Sequence, residues 1–541
     1  VSVALSAGLI SLATGVSLVD NTIGNDVSAG ITRSDVTAGG AGDINVRAYS
    51  DPTNTSQSTI GAVSFGLGVA AAGGSSTTLI DGTTEAYVND ATLTARGDRV
   101  IISATSTGTA SPTIRGLSGG LVAVAAMSSE SSIEGITQSH IGGTTTVTAN
   151  RIDVSATDTN TVKPDTLVVG VGAITGVGAK STASISTTTE AFVDRNSHLT
   201  LGTAILDIMA KSNSTADGKA GGAAGGAIAV ALLDNESTVN ATTRAYVGDA
   251  SDVYAGQLNL KADATTFAKA PSEVFGVGLL AGAGILLDAV DTSTAEAFIG
   301  AATGTTSDSS TNIYITAGGV DVDAILNSSV EAETKVTSIG LIGVAGSRTN
   351  SESKPTVRSY LGDSANITAT LGAVTFDADV LSKAVTEGSE LLAGAIAVGF
   401  TTVAATARPD VRAFTESGGS ITAKSGHIIS KSVTDVSSTM DASSGGAIAV
   451  SGMTSTANII NRNTATVGQD TQIDIINNFT VRADSNNTGN SEASNGSGGL
   501  VAVNLATANL TVDDRSTVQV GVGASITAGN NLVIEALVAV N

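Results

Sequence analysis

One recurrence limits what this chain can fold into. A short segment that ends in an aromatic and an aliphatic residue returns along the sequence. It reads Glu85-Ala86-Tyr87-Val88, Glu190-Ala191-Phe192-Val193, Arg244-Ala245-Tyr246-Val247, Glu296-Ala297-Phe298-Ile299, Arg358-Ser359-Tyr360-Leu361 and Arg412-Ala413-Phe414-Thr415. Gln138-Ser139-His140-Ile141 and Thr464-Ala465-Thr466-Val467 are degenerate copies. The key positions 87, 140, 192, 246, 298, 360, 414 and 466 are 53, 52, 54, 52, 62, 54 and 52 residues apart. The long interval holds a polar insert, Gly304 to Ser310. A fixed period of this length marks a repeat architecture, in which each unit buries its apolar face only against its neighbours.

Three further signatures keep their order inside the unit. A short Leu-Thr-Ala segment follows the aromatic, as in Leu93-Thr94-Ala95 and Ile421-Thr422-Ala423. An alternating segment that closes on alanine comes next, as in Ile152-Asp153-Val154-Ser155-Ala156 and Val320-Asp321-Val322-Asp323-Ala324. Period-two alternation puts aliphatics on one face and polar residues on the other, the pattern of a half-buried strand. The last is glycine-rich and apolar on both faces, as in Gly225-Gly226-Ala227-Ile228-Ala229-Val230 and Gly445-Gly446-Ala447-Ile448-Ala449-Val450. Turns carry Gly with Asp, as in Gly97-Asp98, Gly248-Asp249 and Gly362-Asp363. Gly, Thr, Ser and Val are poor helix formers, and no 3.6-residue stripe is visible.

The pattern predicts an all-β protein: a parallel β-solenoid (β-helix) of nine to ten units of about 53 residues, with parallel strands about 4.8 Å apart. The units run approximately 1–48, 49–104, 105–156, 157–210, 211–262, 263–324, 325–378, 379–431, 432–483 and 484–541. Two coils per unit are expected, hence about twenty coils and a rod on the order of 100 Å. The alternative is one large coil per unit with the glycine-rich strand folded out as a hairpin. With no Trp, no Cys and 3% aromatics, the interior is built from Ala, Val, Ile, Leu and Gly. Only 14% of residues are charged, so Ser, Thr, Asn and Gly are expected to form the surface. The glycine-rich strand is expected in the core; exposed, it would form a sticky stripe that joins copies side by side.

The net charge of −23 opposes nucleic acid and anionic lipid as partners. The longest apolar stretches, Val3 to Val19 and Val274 to Val290, are broken by Gly and lack basic flanks, so no transmembrane segment is expected. The chain opens on Val1 with no signal sequence and stops inside an apolar run, Leu532 to Val540, as if cut from a longer polypeptide.

At these motifs the chain resembles the repeat regions of large secreted bacterial filamentous adhesins and haemagglutinin-like (leukotoxin-like) exoproteins. The resemblance runs through Ala-Tyr-Val-Gly-Asp, Leu-Thr-Ala, the alternating strand and Gly-Gly-Ala-Ile-Ala-Val, and covers essentially the whole chain. It implies a solenoid shaft, an extracellular or cell-surface location, and a role in adhesion, biofilm or surface structure. The partners it implies are a host or neighbouring cell surface, glycans, or further copies of the chain.

The chemistry-bearing residues are few. The row Tyr87, Phe192, Tyr246, Phe298, Tyr360 and Phe414 reads as a stacked structural ladder; the competing reading is a row of carbohydrate-binding platforms. His140, His198 and His427 fall at different phases of the repeat, with His140 in an aromatic position. Acidic residues such as Asp153, Asp207, Asp321 and Asp377 recur at outward positions without one locus that breaks the repeat, so no catalytic pair of carboxylates is expected and the chain is not read as an enzyme. No phosphate-cradling loop is present. No cofactor is expected, and calcium is the most plausible ion. Its candidates are Asp43, in the run Gly39-Gly40-Ala41-Gly42-Asp43, and the turn residues Asp249 and Asp363.

Overall fold

The computed structural model describes residues 1–40, 42–95, 98–305 and 309–540. Ala41 of the Gly39–Asp43 run, Gly97 of the Gly97-Asp98 turn and residues 306–308 of the insert lie outside the described residues. All regular elements described are β-strands, and they join in one sheet by parallel pairing. The fold is the all-β parallel β-solenoid that the repeat predicts.

Each unit makes one coil, not two. Ser103 pairs with Ser155, and Ser155 with Met209 in the coil beyond. The glycine-rich segment obeys the same step: Val122 pairs with Ile174, Ile174 with Ile228, and Ile228 with Leu280. All four signatures therefore share a level. The aromatic position is held in turn by Gly30, Tyr87, His140, Phe192, Tyr246, Phe298, Tyr360, Phe414, Thr466 and Gln519. Ten levels at about 4.8 Å make a stack about 45 Å tall. The expectation of twenty coils and 100 Å fails because the coil is far wider than a compact triangle.

The width comes from a hairpin-like excursion within the coil. In the strand Arg99–Gly142, residues 99–120 run outward, the chain turns at Gly120-Leu121, and residues 122–142 return. The two legs face each other along their length. Ser139 Oγ donates to the Ile102 carbonyl at 2.8 Å, Ser131 Oγ to the Ala110 carbonyl at 3.3 Å, and Met127 lies over Gly116. An outward leg of this length spans about 70 Å. The coil is thus a plank, with a triangular prism at one end and a thin two-sheet blade at the other.

The prism is closed by the Leu-Thr-Ala strand, as in Thr144–Thr148. Its core stacks Val100, Ile152, Leu206, Leu258, Val320 and Val374 on one wall, all essentially fully buried. The turn before that strand needs a left-handed backbone, supplied by Asp90 (φ 52°), Gly143 (φ 64°) and Asn196 (φ 55°). Ala250 and Ser364 take the same conformation, one residue beyond the predicted Gly248-Asp249 and Gly362-Asp363 pairs.

The blade has a separate and thinner core. Near the tip its inward positions are Ala123, Thr175, Ala229, Ala281, Gly343 and Ala397, and further back buried Ser129, Ser131, Ser181 and Thr349 stand among aliphatics such as Ile114, Ile133 and Ile185. The tip explains the paired glycines. A Cβ on Gly226 would meet the Gly172 carbonyl oxygen at 1.9 Å, and one on Gly446 would meet that of Gly394 at 2.0 Å. Only glycine lets one corner sit on the next. The two-way expectation for the glycine-rich strand resolves into both faces at once: Ala229 points inward, while Ile228 and Val230 point to solvent. The expected Ser/Thr surface is likewise incomplete, since much Ser and Thr is buried in the blade and large aliphatics lie outside it.

A polar seam separates the two cores. Asp158 and Asn160 occupy it at one level, with Asn160 Nδ2 donating to Asp158 at 2.5 Å. Ser212 and Thr243 join across it at 2.7 Å. Ser328 and Ser353 do so at 2.7 Å, and Ser353 and Ser382 at 2.8 Å. Asp291 accepts from Thr266, Ser293 and Ser328 there. Buried hydroxyls and amides are tolerated because they find partners across a narrow gap.

Candidate functional site

The strand that precedes the Leu-Thr-Ala turn presents the aromatic ladder outward. Because levels are in register, the rings lie face to face. Tyr87–His140 centroids are 5.5 Å apart, His140–Phe192 4.9 Å, Phe192–Tyr246 4.8 Å, and Phe298–Tyr360 4.9 Å. From His140 to Tyr360 the planes are within a few degrees of parallel. Tyr360–Phe414 continue the row at 4.8 Å. Between Tyr87 and Phe414 both faces of every ring are taken by rings of the adjacent coils, so the row offers edges rather than platforms for a sugar ring.

The one long step leaves the ladder continuous. Ordinary coils step by 52 to 54 residues here, but Phe298 pairs with Tyr360. Just before the insert the chain passes over the rings, where the Thr303 amide donates to Tyr360 Oη at 3.0 Å. Phe298 and Tyr360 are consequently buried, whereas Tyr87, Phe192, Tyr246 and Phe414 are partly exposed. Burial pushes the Tyr360 hydroxyl up to about 12.

Beside the rings runs a row of charges that sequence reading missed. Arg244 Nη1 lies 3.3 Å from Glu190, and its Nε donates to Glu296 at 2.9 Å. Arg358 Nη1 donates to the other Glu296 oxygen at 2.9 Å. The signal was present two residues before each aromatic, where Glu190, Arg244, Glu296 and Arg358 alternate in sign. For Arg244, burial works against the charge, but Glu296 and Glu190 outweigh it and hold the guanidinium above its ordinary value. Rings, charges and the turn enclose a groove of about 500 Å³ whose floor also includes Asp194, Arg195 and Asp249. The alternating charges cancel, and the arrangement holds neighbouring coils in register.

His140 fits the row by chemistry as well as by shape. Its Nδ1 lies 3.0 Å from Asp194 and its Nε2 3.3 Å from Glu85. Burial disfavours the imidazolium, but these two carboxylates more than compensate and raise its pKa. His198 packs edge-on to Tyr254 and lies 3.7 Å from Asp252. His427 Nε2 meets Asp377 at 2.7 Å.

The three calcium candidates do not converge. The Asp43 carboxylate accepts from the Arg99 amide at 3.0 Å, Asp249 lies 3.5 Å from Arg195, and Asp363 accepts from Ser417 at 2.6 Å. Among the described residues, the acidic group compact enough for an ion is instead Asp321, Asp323 and Asp377, whose ligand oxygens lie within 4.8 Å of one another. Asp321 and Asp377 were visible as outward acids. Their convergence through Asp323 follows from register, which pairs Asp323 with Asp377. Burial, followed by Asp321 and Asp377, pushes Asp323 up to about 7. Asp153 and Asp207 are neutralised, by Arg99 and Arg151 in one case and by Arg151 at 2.7 Å in the other.

No helix of the described residues is long and apolar enough to cross a membrane. Comparisons with protein-family models, curated proteins and solved structures return no match.

Proposed function

We propose that this chain is a structural and adhesive β-solenoid shaft, part of a secreted or cell-surface bacterial adhesin. The observation that supports it is the stack of ten levels, each joined to the next by parallel backbone pairing along most of its circumference, with one register shift between Ala369 and Ala373. Such a stack carries force through many parallel hydrogen bonds and presents long flat faces to a partner cell. In this reading the aromatic and Glu/Arg rows are fasteners between coils, and the chain performs no catalysis. Its partners are a host or neighbouring cell surface, glycans, or other copies.

The experiment is surface labelling of intact source cells with an antibody raised against this chain, paired with an attachment assay of cells lacking it. Labelling without permeabilisation and weakened attachment are expected. Labelling only after permeabilisation overturns the reading. Release of oligosaccharides from acidic glycans by the purified chain would replace it with an enzymatic one.

A further inference from the structure

The outer face of the returning blade leg is apolar over most of the stack. One column along it reads Ile174, Ile228, Leu280, Ile342, Ile396 and Ile448, paired coil to coil. Ile174 is 49% exposed, Leu280 43% and Ile448 42%. Side chains this large and this exposed are ordinary when single, but a continuous patch marks a contact surface. Nothing in strand geometry requires them outward, since the polar alternative occurs on the prism walls of the same coils.

A second column alternates in size: Ala126, Gly178, Leu232, Gly284, Gly346 and Phe400. Leu232 and Phe400 stand about 60% exposed as ridges. The glycines between them leave a hollow of about 600 Å³ lined also by Ala179, Leu233 and Leu286. Ridges and hollows of this spacing are complementary to themselves. A two-fold axis along the strands, between the Leu232 and Gly284 levels, sets Leu232 of each copy over Gly284 of the other, and Phe400 over Ala126. The same operation lays each isoleucine column on its counterpart. That is the reciprocal contact of an isologous pair.

Area and charge favour the same occupant. Eight coils and three columns cover about 700 Å² on each copy at standard strand spacings, close to the ~800 Å² per partner of a standard interface. The chain carries −23 overall, which repels a second copy at most approaches. The three columns of this face hold no charged residue; charges begin in the column beyond Leu232, where Lys180 and Asp234 pair at 3.4 Å and Arg348 stands two levels further on. The opposite face of the blade is interrupted by Arg115, Asp165, Glu273 and Lys335.

We propose that the returning face of the blade packs against the same face of a second copy, with the two stacks running in opposite directions. This inference stands apart from the adhesin reading, since it concerns pairing and not location. Sedimentation equilibrium of the chain, a 53.0 kDa monomer, is expected to show a dimer. Leu232→Arg places a charge in the contact, and Gly284→Leu fills the hollow without one. Each is expected to weaken the dimer at least about tenfold, as for a central interface residue. Thr337→Arg, on the opposite face, is expected to leave it unchanged. Far-ultraviolet circular dichroism and thermal melting show that each variant is folded. A wild-type chain that stays monomeric at every concentration overturns the proposal. So do variants that pair as well as the wild type, or flotation of the chain with phosphatidylcholine vesicles through this face in place of pairing.

Discussion

The prism and the blade are made by the same strands, yet they invert each other. In the prism, inward positions are Ile, Leu and Val, and outward positions are charged or aromatic. In the blade, inward positions mix Ala, Gly, Ser and Thr with Ile, Val and Leu, and many outward positions are aliphatic. Toward the tip the inner side chains are small, as at Ala123, Ala229 and Ala397, and the two legs turn tightly there. The prism gains about 0.8 kcal/mol for each methylene it buries, so its stability is mainly hydrophobic. The blade adds to its apolar core a share of buried hydroxyl partners and close glycine corners. One register can therefore be maintained by two different balances of forces, and the two ends of the plank should respond differently to the same kind of change.

The strongest way to break the comparison is at the blade tip. Gly446→Ala puts a methyl 2.0 Å from the Gly394 carbonyl oxygen, and a clash with backbone has no flexible partner to absorb it. A local loss of more than ~4 kcal/mol is expected. Hydrogen exchange checks where it falls. Amides of 396–407 and 448–459 should lose protection, while those around Ile473 and Val481 keep theirs. Equal loss in both regions would show that blade and prism open as one unit.

In the prism, Leu206→Ala removes a fully buried side chain between Ile152 and Leu258. A cost of about 3 kcal/mol is expected from lost transfer energy and the cavity. Thermal unfolding should fall as a single transition. A loss confined to the exchange of a few neighbouring amides would mean that the prism is less cooperative than its continuous core implies.

The seam between them offers the smallest effect and the sharpest sign. Burial pushes Asp158 up to about 6 from its ordinary 3.8. The folded state therefore binds this proton more tightly than the unfolded chain. The contribution of Asp158 to stability is greatest below about pH 4, falls as pH rises to about 6, and is flat above that, with a total of about 2–3 kcal/mol. Asp158→Asn should remove that slope and raise the melting temperature at pH 7.5. Melting measured across this pH range tests it; an unchanged slope would assign the dependence to other groups. His140 adds a dependence of the same sign. Its raised pKa contributes stability at low pH that is lost as pH rises through the folded value.

The period, the strand signatures, parallel stacking and the aromatic row were legible because they depend on spacing alone. The number of coils per unit was not. A step of about 53 residues fits two small circuits or one long one, and the choice rests on whether residues 122–142 pair with the outward leg or with the next coil. Alternation also misled where both faces were apolar. Gly225 to Val230 reads as core by composition, but a strand still has two sides, and in a sheet only two layers thick one side meets solvent. The Glu/Arg row was written in the sequence two residues before each ring. Its meaning became visible only once register placed Glu190, Arg244, Glu296 and Arg358 in a line. The Asp321, Asp323 and Asp377 group was hidden for the same reason, since it is assembled across levels.

That charged line also constrains how the array can change length. Excising the single coil that carries Arg244 would bring Glu190 onto Glu296, two like charges about one strand spacing apart and partly removed from water. Excising that coil together with the next would bring Glu190 onto Arg358 and restore attraction. Between Glu190 and Arg358 the loss of two coils keeps the alternation and the loss of one breaks it; beyond that segment the constraint lapses, since register already sets Arg358 beside Arg412.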